Sequence, residues 1–444
     1  MKINFNIFRS YDIRGIYPQE LDEEAAFKIG QGFIKYTKAK NVAIGRDCRI
    51  SSPSLFIAIS KGIIARGANV YDLGPVPTEC LYFAVGHYGF DGGIMITASH
   101  NPKEYNGFKM VKKGMEWIRG REIGKIIEKT YFKKARRKGK IKKINIWQDY
   151  FKHAFSFINI KKIKPFKVVI DTSNGMAGIL IEKIEKKLPI KIIPLNFKPD
   201  GNFPAHSPNP LEELATKQIS QKIIEEKADF GFIFDGDADR IFLIDEIGNL
   251  VRGDITLLLL AHYFLKKNPG AKIAYNLICS KAVPQFIEKW GGEPIKTAVG
   301  FVNVREGMIK KDGIMGGELS GHYCFKENFY SDSALITFLV LLQLISESGK
   351  RVSKMVRKLS PFAKSSEINF GVKGKEKVLN KIKKLYSDGR RDYLDGLSVE
   401  YDDWWFNLRP SQTEPILRLT IEAKTKKLLK EKKKELMRLI EIIK

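Results

Sequence analysis

Three features of the 444-residue sequence predict an α/β protein with a smaller α+β segment at its C-terminal end. Short apolar runs bounded by turn residues alternate with longer helical stretches, the mark of layered α/β units. The alternation restarts twice, after a lysine-rich stretch near residue 140 and again near residue 253. After about residue 365 it gives way to a different order of strands and helices. A chain of this length with 43% hydrophobic residues also exceeds what one core can hold. The expected division is 1–147, 148–250, 251–364 and 365–444.

The elements follow in order. Met1 to Ser10 alternates apolar residues with Asn and Lys, which predicts a first β-strand rather than a secretion signal. Asn41 to Gly45 reads as a strand, Ser52 to Arg66 as a helix, and Val70 to Leu73 and Gly92 to Thr97 as further strands. In the second unit, Phe166 to Asp171 is a strand, Asn174 to Gly178 a turn into a helix, and Phe230 to Phe234 another strand. The third unit opens with a helix near Gly253, continues with the strand Lys272 to Asn276 and then a helix from Ala282 to Trp290. The last segment combines an extended run at Glu367–Val372, a helix at Glu376–Tyr386, strands near Leu397–Tyr401 and Ile416–Ala423, and a lysine-rich helix to the end.

Composition narrows the function classes. The longest apolar stretches, Leu257–Leu265 and Ile336–Ile345, are too short to span a bilayer, so no membrane anchor and a cytoplasmic location are expected. Cys48, Cys80, Cys279 and Cys324 lie far apart without a CxxC pair, which argues against a disulfide framework or structural zinc. The formal charge of +27 raises nucleic acid as a partner. However, the basic run Lys125 to Lys143 and the lysine-rich tail lack interleaved aromatics and match no nucleic-acid-binding motif. They read as solvated helix faces, and the positive field is expected to draw in anionic metabolites.

The strongest chemical signal is Asp235-Gly236-Asp237-Ala238-Asp239-Arg240, directly after an apolar strand. Three carboxylates gathered in one turn repel each other unless a cation offsets them, which suggests a hard divalent ion such as Mg²⁺. The alternatives are a solvated acidic turn and an EF-hand loop. The second fails because Arg240 stands where that loop needs glycine, and Ile241 to Ile244 continues as a strand. Ser99, in Thr97-Ala98-Ser99-His100-Asn101-Pro102, follows a strand end, where α/β folds bind ligands; read alone it is equally a helix-capping serine. Without a nucleophile elbow around it, acyl transfer is disfavoured. Glu318, Ser320 and His322 alternate between glycines and can converge on vicinal hydroxyls. Arg409-Pro410-Ser411-Gln412-Thr413-Glu414-Pro415 combines a guanidinium, two hydroxyls and turn-forming prolines in a loop suited to clamping phosphate. Gly30-Gln31-Gly32 has no third glycine in register, so a dinucleotide fingerprint is not supported.

Taken in order, Tyr11-Asp12-Ile13-Arg14-Gly15 and the Ser99, Asp235, Glu318 and Arg409 loops resemble the α-D-phosphohexomutase superfamily, most closely its phosphomannomutase/phosphoglucomutase branch, across the whole chain. The resemblance implies three similar mixed α/β domains plus a smaller C-terminal α+β domain around a central active-site cleft. It implies that Ser99 carries a phosphoryl group and that Asp235, Asp237 and Asp239 bind Mg²⁺ together with it. Arg14, Lys109 and His100 would join Ser99 in catalysis, with Lys109 at the position that assists proton transfer. Tyr11, Arg240, Glu318, Ser320, His322, Arg409, Ser411, Gln412 and Thr413 would bind substrate. The implied reaction interconverts hexose 1-phosphate and hexose 6-phosphate through a hexose 1,6-bisphosphate, which also serves as activator, in a monomer or dimer. Gln412 stands where relatives usually carry Asn or Gly, and Phe301 where several carry a polar residue. Phosphoglucosamine mutase and a catalytically silent polyanion-binding relative are the alternatives.

Overall fold

A computed structural model describes residues 3–443, apart from 134, 137, 373 and 412–415. Its strands form four sheets in chain order. The first has seven strands, with Asn41–Arg46 pairing in parallel with both Asn69–Pro75 and Gly92–Ile96. Val42 to Ile44 and Ile94 to Ile96 are buried, as continuous apolar strands covered on both faces must be. Tyr105–Lys112 and Ile13–Ile16 extend this sheet antiparallel on one side. The second sheet places Phe230–Phe234 between the parallel strand Lys167–Asp171 and the antiparallel Ile241–Ile244. The third is mixed, with Lys272–Asn276 parallel to Glu293–Thr297 and Met315–Gly317, and Tyr323–Phe325 antiparallel. The fourth is antiparallel throughout and centres on Trp404–Pro410 and Ile416–Ala423.

Local chemistry sets the helix starts. Asp22 accepts from the Ala25 amide and, with Glu23 and Glu24, complements the positive end of Glu23–Thr37. Pro53 sits in the first turn of Ser52–Ala65, where no helical amide bond is lost. Ser333 caps the long buried helix Ala334–Ser348 by accepting from Ile336. That helix and Gly253–Lys267 contain the two apolar stretches noted above, both now in the interior. No described helix is long and apolar enough to cross a membrane. All four cysteines are free thiols.

One continuous apolar cluster joins the first three sheets, running from Leu81 and Phe83 through Val168 and Phe232 to Leu257 and Leu335. The fourth sheet and the helices Lys375–Leu385 and Lys426–Ile443 enclose a separate core around Phe406, Leu419 and Leu436. In each of the first three sheets a strand ends directly before a loop of interest: Gly92–Ile96 before Ser99, Phe230–Phe234 before Asp235, and Met315–Gly317 before Glu318.

Two expectations change. Met1 to Ser10 supplies no strand among its described residues. Asn4 accepts from the Asn6 amide and starts a 3₁₀ turn at Phe5–Ile7, and the first strand is Ile13–Ile16. Its apolar residues anchor the segment instead, with Ile7 and Phe8 buried. The basic run is helical only over Gly120–Lys129; beyond Thr130 it ends in the short edge strand Ile141–Lys143, whose three residues are exposed. Its described lysines are solvated as expected, on a different backbone.

His206 gives a test of electrostatics away from the acidic loop. Its Nε2 lies 3.0 Å from Asp171 Oδ2 and its Nδ1 2.8 Å from the Ser207 carbonyl, so the doubly protonated ring satisfies both acceptors. Burial lowers its pKa most, but the bond and charge of Asp171, with the Ser207 carbonyl, together outweigh it and the net shift is upward. A raised folded-state pKa stabilises fully below the ordinary value of 6.5 and loses that contribution as pH rises through the folded value. The difference in melting temperature between the native chain and His206→Ala should therefore be largest in mildly acidic solution and shrink above neutrality. A difference that grows with pH would remove the ion pair as its cause.

Candidate active site

The loop after Gly92–Ile96 is held in an uncommon shape. Ser99 adopts φ 51°, a left-handed conformation that costs a non-glycine residue energy and persists only where the surroundings impose it. Arg49 imposes it. Its buried guanidinium donates through Nη2 to the Ser99 and Asn101 carbonyls at 2.9 and 2.6 Å, and through Nη1 to the Pro102 and Tyr105 carbonyls at 2.7 and 2.9 Å. Asp47 accepts from its Nε at 3.1 Å. The Ser99 amide donates to Thr97 Oγ1 at 2.8 Å. Gly236 completes the approach of the two loops, since a Cβ there would stand 2.7 Å from the Ser99 carbonyl oxygen.

Ser99 caps no helix; its Oγ donates to Asp235 Oδ2 at 3.0 Å, across 136 residues of chain. Asp235 is the hub of the acidic turn. Its Oδ1 accepts from the Asp239 and Arg240 amides, both at 3.2 Å, and its Oδ2 also accepts from Arg240 Nε at 2.8 Å. Asp237 Oδ2 accepts from Thr78 Oγ1 at 2.5 Å and from Lys109 Nζ at 2.7 Å, and Lys109 also binds Asp239. Asp237 Oδ1 is buried without a hydrogen-bond partner, and Asp239 Oδ1 has only the loose approach of His322 Nε2 at 3.4 Å. Ligand atoms of the three aspartates lie within 4.8 Å of one another. Ala238, between them, is also left-handed at φ 57°.

Burial governs the electrostatics. It pushes the Asp235 carboxyl up to about 6, even against the adjacent Arg240. Burial opposes ionisation of Asp239 too, but Lys109 and His322 outweigh it and hold that carboxyl well below its usual range. Burial likewise works against the Lys109 charge, yet Asp237 and Asp239 keep it an ammonium. Burial, with Arg240, Arg14 and Lys109 nearby, lowers His100 and leaves it neutral, its Nδ1 3.2 Å from Ser99 Oγ. Burial would lower His322 as well, but Asp239 and Glu318 raise it to about 10.

The third loop joins this network directly. His322 Nε2 stands 3.4 Å from Asp239 Oδ1, and its Nδ1 lies 2.9 Å from Ser320 Oγ and 3.2 Å from Glu318 Oε1. Ser320 also donates to Glu318, whose other oxygen accepts from Asn276 Nδ2 at 3.0 Å. Arg14 reaches the Ser99 loop through Asn101, its Nη1 donating to Oδ1 at 2.5 Å. Tyr11 lies against the third unit, where a Cβ on Gly300 would stand 3.3 Å from its hydroxyl. The structure thus brings Ser99, His100, Lys109, Arg14, the three aspartates, Arg240, Glu318, Ser320 and His322 together.

Arg409 stands apart from that hydrogen-bonded network. It donates to Glu367 at 2.5 Å and lies 4.0 Å from Asp395. The Ser411 amide donates to the Ile416 carbonyl at 2.9 Å. Gln412 and Thr413 lie outside the described residues. Sequence reasoning missed Arg49, Thr78, Asn276 and Asp332. Arg49 had a usable signal, since it follows the strand Asn41–Arg46, whose end faces the Ser99 loop. Thr78 and Asn276 had none beyond being ordinary polar residues, and Asp332, 3.9 Å from His322 Nε2, is recognisable only once the fold is formed.

Comparison with known proteins matches four family models along the chain. Phosphoglucomutase/phosphomannomutase α/β/α domains I, II and III match residues 6–137, 147–248 and 252–362, and the C-terminal domain of the same family matches 367–439. Phosphomannomutases from Vibrio cholerae and Methanocaldococcus jannaschii are each 40% identical, covering 98% of this chain and 98% and 97% of theirs. A crystal structure of a phosphoglucomutase/phosphomannomutase family protein from Burkholderia thailandensis superimposes with a TM-score of 0.90 at 31% identity, covering 100% of this chain and 98% of that one.

The Arg49 clamp carries a prediction. Arg49→Met removes the guanidinium from four carbonyls and takes the charge partner from the buried Asp47, which keeps the residue-49 amide and Ser52 Oγ, and should cost about 3–5 kcal/mol of stability. Urea denaturation of both proteins reads the difference. A loss below about 0.5 kcal/mol, the range of ordinary surface substitutions, would show that the loop holds its shape without the guanidinium.

Proposed function

We propose, for a chain that belongs to the phosphoglucomutase/phosphomannomutase family of the α-D-phosphohexomutase superfamily, a reversible interconversion of hexose 1-phosphate and hexose 6-phosphate that runs through phosphorylated Ser99. The family makes it an enzyme of the isomerase class acting on a small phosphosugar. Mannose phosphate is the substrate we assign first, because the similar proteins of Vibrio cholerae and Methanocaldococcus jannaschii are phosphomannomutases. The observation that carries the mechanism is the 3.0 Å approach of Ser99 Oγ to Asp235 within a buried cluster of three carboxylates.

That cluster fits Mg²⁺. Its donors are all carboxylate oxygens, and the buried Asp237 Oδ1, which lacks a hydrogen-bond partner, is what a hard cation would satisfy. Asp235, Asp237 and Asp239 would hold the ion together with the phosphorylated Ser99. When bound, it would neutralise charge on the transferring phosphoryl group.

The chain's own groups support each step. In the first transfer the bond from phosphorus to Ser99 Oγ breaks as one forms to the C6 oxygen of hexose 1-phosphate. The C6 hydroxyl loses its proton and Ser99 Oγ gains one. Lys109, held as an ammonium by Asp237 and Asp239, is suited to charge stabilisation and to donating a proton rather than accepting one. After the bisphosphate reorients, Ser99 Oγ attacks the phosphoryl group on O1, the bond from phosphorus to O1 breaks, and the freed O1 takes up a proton. Its proton has an acceptor in neutral His100, 3.2 Å away. Arg240 and Arg14 face the same loop and would balance phosphoryl charge. Glu318, Ser320 and His322 form a preorganised hydrogen-bonding set for sugar hydroxyls. Tyr11 and Arg409, with Ser411, Gln412 and Thr413, are assigned to the substrate and its non-reacting phosphate. A hexose 1,6-bisphosphate would restore the phosphoserine whenever the intermediate escapes.

Purified protein with Mg²⁺ and a trace of glucose 1,6-bisphosphate should convert mannose or glucose 1-phosphate to the 6-phosphate. No turnover on either sugar would refute the assignment. Chelation should abolish activity and added Mg²⁺ restore it. Ser99→Ala should fold normally, lose at least about a thousandfold in kcat/KM, and gain no phosphoryl mass on exposure to the bisphosphate. Substantial residual turnover would mean that another side chain carries the phosphoryl group.

A further inference from the structure

A concavity lies on the protein between segments of the second and third units, and none of the candidate active-site residues lines it. It encloses about 680 Å³, within the range of small-molecule sites. Phe166 and Phe230 contribute to its apolar wall, and Ile224 and Ile247 at its lining remain 58% and 59% exposed. Large aliphatic side chains left open beside a concave apolar surface are what a ligand or partner covers.

The charges around it are one-sided. Lys164, Lys227, Lys350 and Arg351 line it, and among the described residues none of the four forms an ion pair. The two lining carboxylates are already engaged. Asp229 accepts from the Lys167 amide at 2.8 Å, and Glu246 accepts from both the amide and the hydroxyl of Ser353, at 3.1 and 2.5 Å. Four cations thus face two carboxylates whose hydrogen-bonding capacity is partly used within the protein.

We propose that this cavity is a binding site for a small amphipathic anion, an alkyl or aryl body carrying a phosphate, sulfonate or carboxylate. The apolar body would cover Ile224 and Ile247 while the anionic head meets Lys164, Lys227 and Lys350, Arg351 lying near enough to Glu246 to help lower its pKa against burial. The chemistry differs from that of the cleft, whose cationic and carboxylate groups suit a polyhydroxylated phosphosugar. The site also sits at one end of the strand Phe230–Phe234, whose other end leads into Asp235. Five residues of strand at about 3.3 Å each separate it from the acidic turn by roughly 16 Å.

The probe is 1-anilinonaphthalene-8-sulfonate, titrated into the folded full-length protein and followed by fluorescence. One saturable site is expected, displaced by octyl phosphate but by neither inorganic phosphate nor octanol, because both halves of the ligand are needed. Ile247→Asp and Lys350→Glu should each weaken the probe at least about tenfold, the loss expected from removing one buried aliphatic contact or one attractive charge. Both variants should keep hexose phosphate turnover, which also shows that they fold. Displacement of the probe by glucose 1,6-bisphosphate would assign the binding to the cleft and overturn the proposal. Unchanged affinity in both variants would overturn it as well.

Discussion

The structure depends on burying five ionised or ionisable side chains, Asp235, Asp237, Asp239, Lys109 and Arg240, at a point where loops from separate sheets meet. Carboxylates taken out of water repel each other and lose hydration, and either effect alone would drive them to protonate or to leave the interior. The two cations answer this in different ways. Arg240 is local to the turn and binds Asp235 two-fold through backbone and side chain. Lys109 comes from the first sheet and ties Asp237 and Asp239 to the Ser99 unit. The acidic turn is therefore compatible with folding only when the first and second sheets are docked.

That requirement explains the distribution of core and strain. The continuous apolar cluster across the first three sheets supplies a rigid frame, and the left-handed residues Ser99 and Ala238 are held against it. Arg49 locks one loop through four carbonyls, while the close approach at Gly236 lets the other pass beneath it. Glu318 and His322 reach the same point because the strand Met315–Gly317 ends there and Asn276, on the adjacent strand, fixes the carboxylate. The fourth sheet encloses its own core and meets the third unit through polar ties, including the Lys281 amide to Glu422 and the Val299 amide to Asp395. A domain joined to its neighbour by polar contacts is the one whose position can vary at least cost.

The proposed function divides the labour among these loops. The Ser99 and Asp235 loops hold concentrated charge of both signs, as phosphoryl chemistry needs. The Glu318 loop offers donors and acceptors that already hydrogen-bond one another. The opposite titration behaviour of two histidines shows how position decides chemistry. His100, surrounded by Arg240, Arg14 and Lys109, is neutral, whereas His322, facing Asp239 and Glu318, is held protonated.

Much of this was legible in the sequence because strand and helix periodicity, glycine turns and short chemical motifs are local. The strands at Asn41, Gly92, Phe230 and Lys272, and the loops at Ser99, Asp235 and Glu318, are all readable within a window of about a dozen residues. The N-terminal segment misled because a single Asn4 side chain, competing for a backbone amide, turns an alternating pattern into a 3₁₀ turn. Tertiary structure alone decided which distant groups meet. Nothing local marks Thr78 as the partner of Asp237 or Asp332 as a neighbour of His322, and the place of Arg49 after a strand end does not show that it clamps the Ser99 loop. These contacts form between segments tens to hundreds of residues apart, and their energy comes from shared burial, which no single stretch of chain contains.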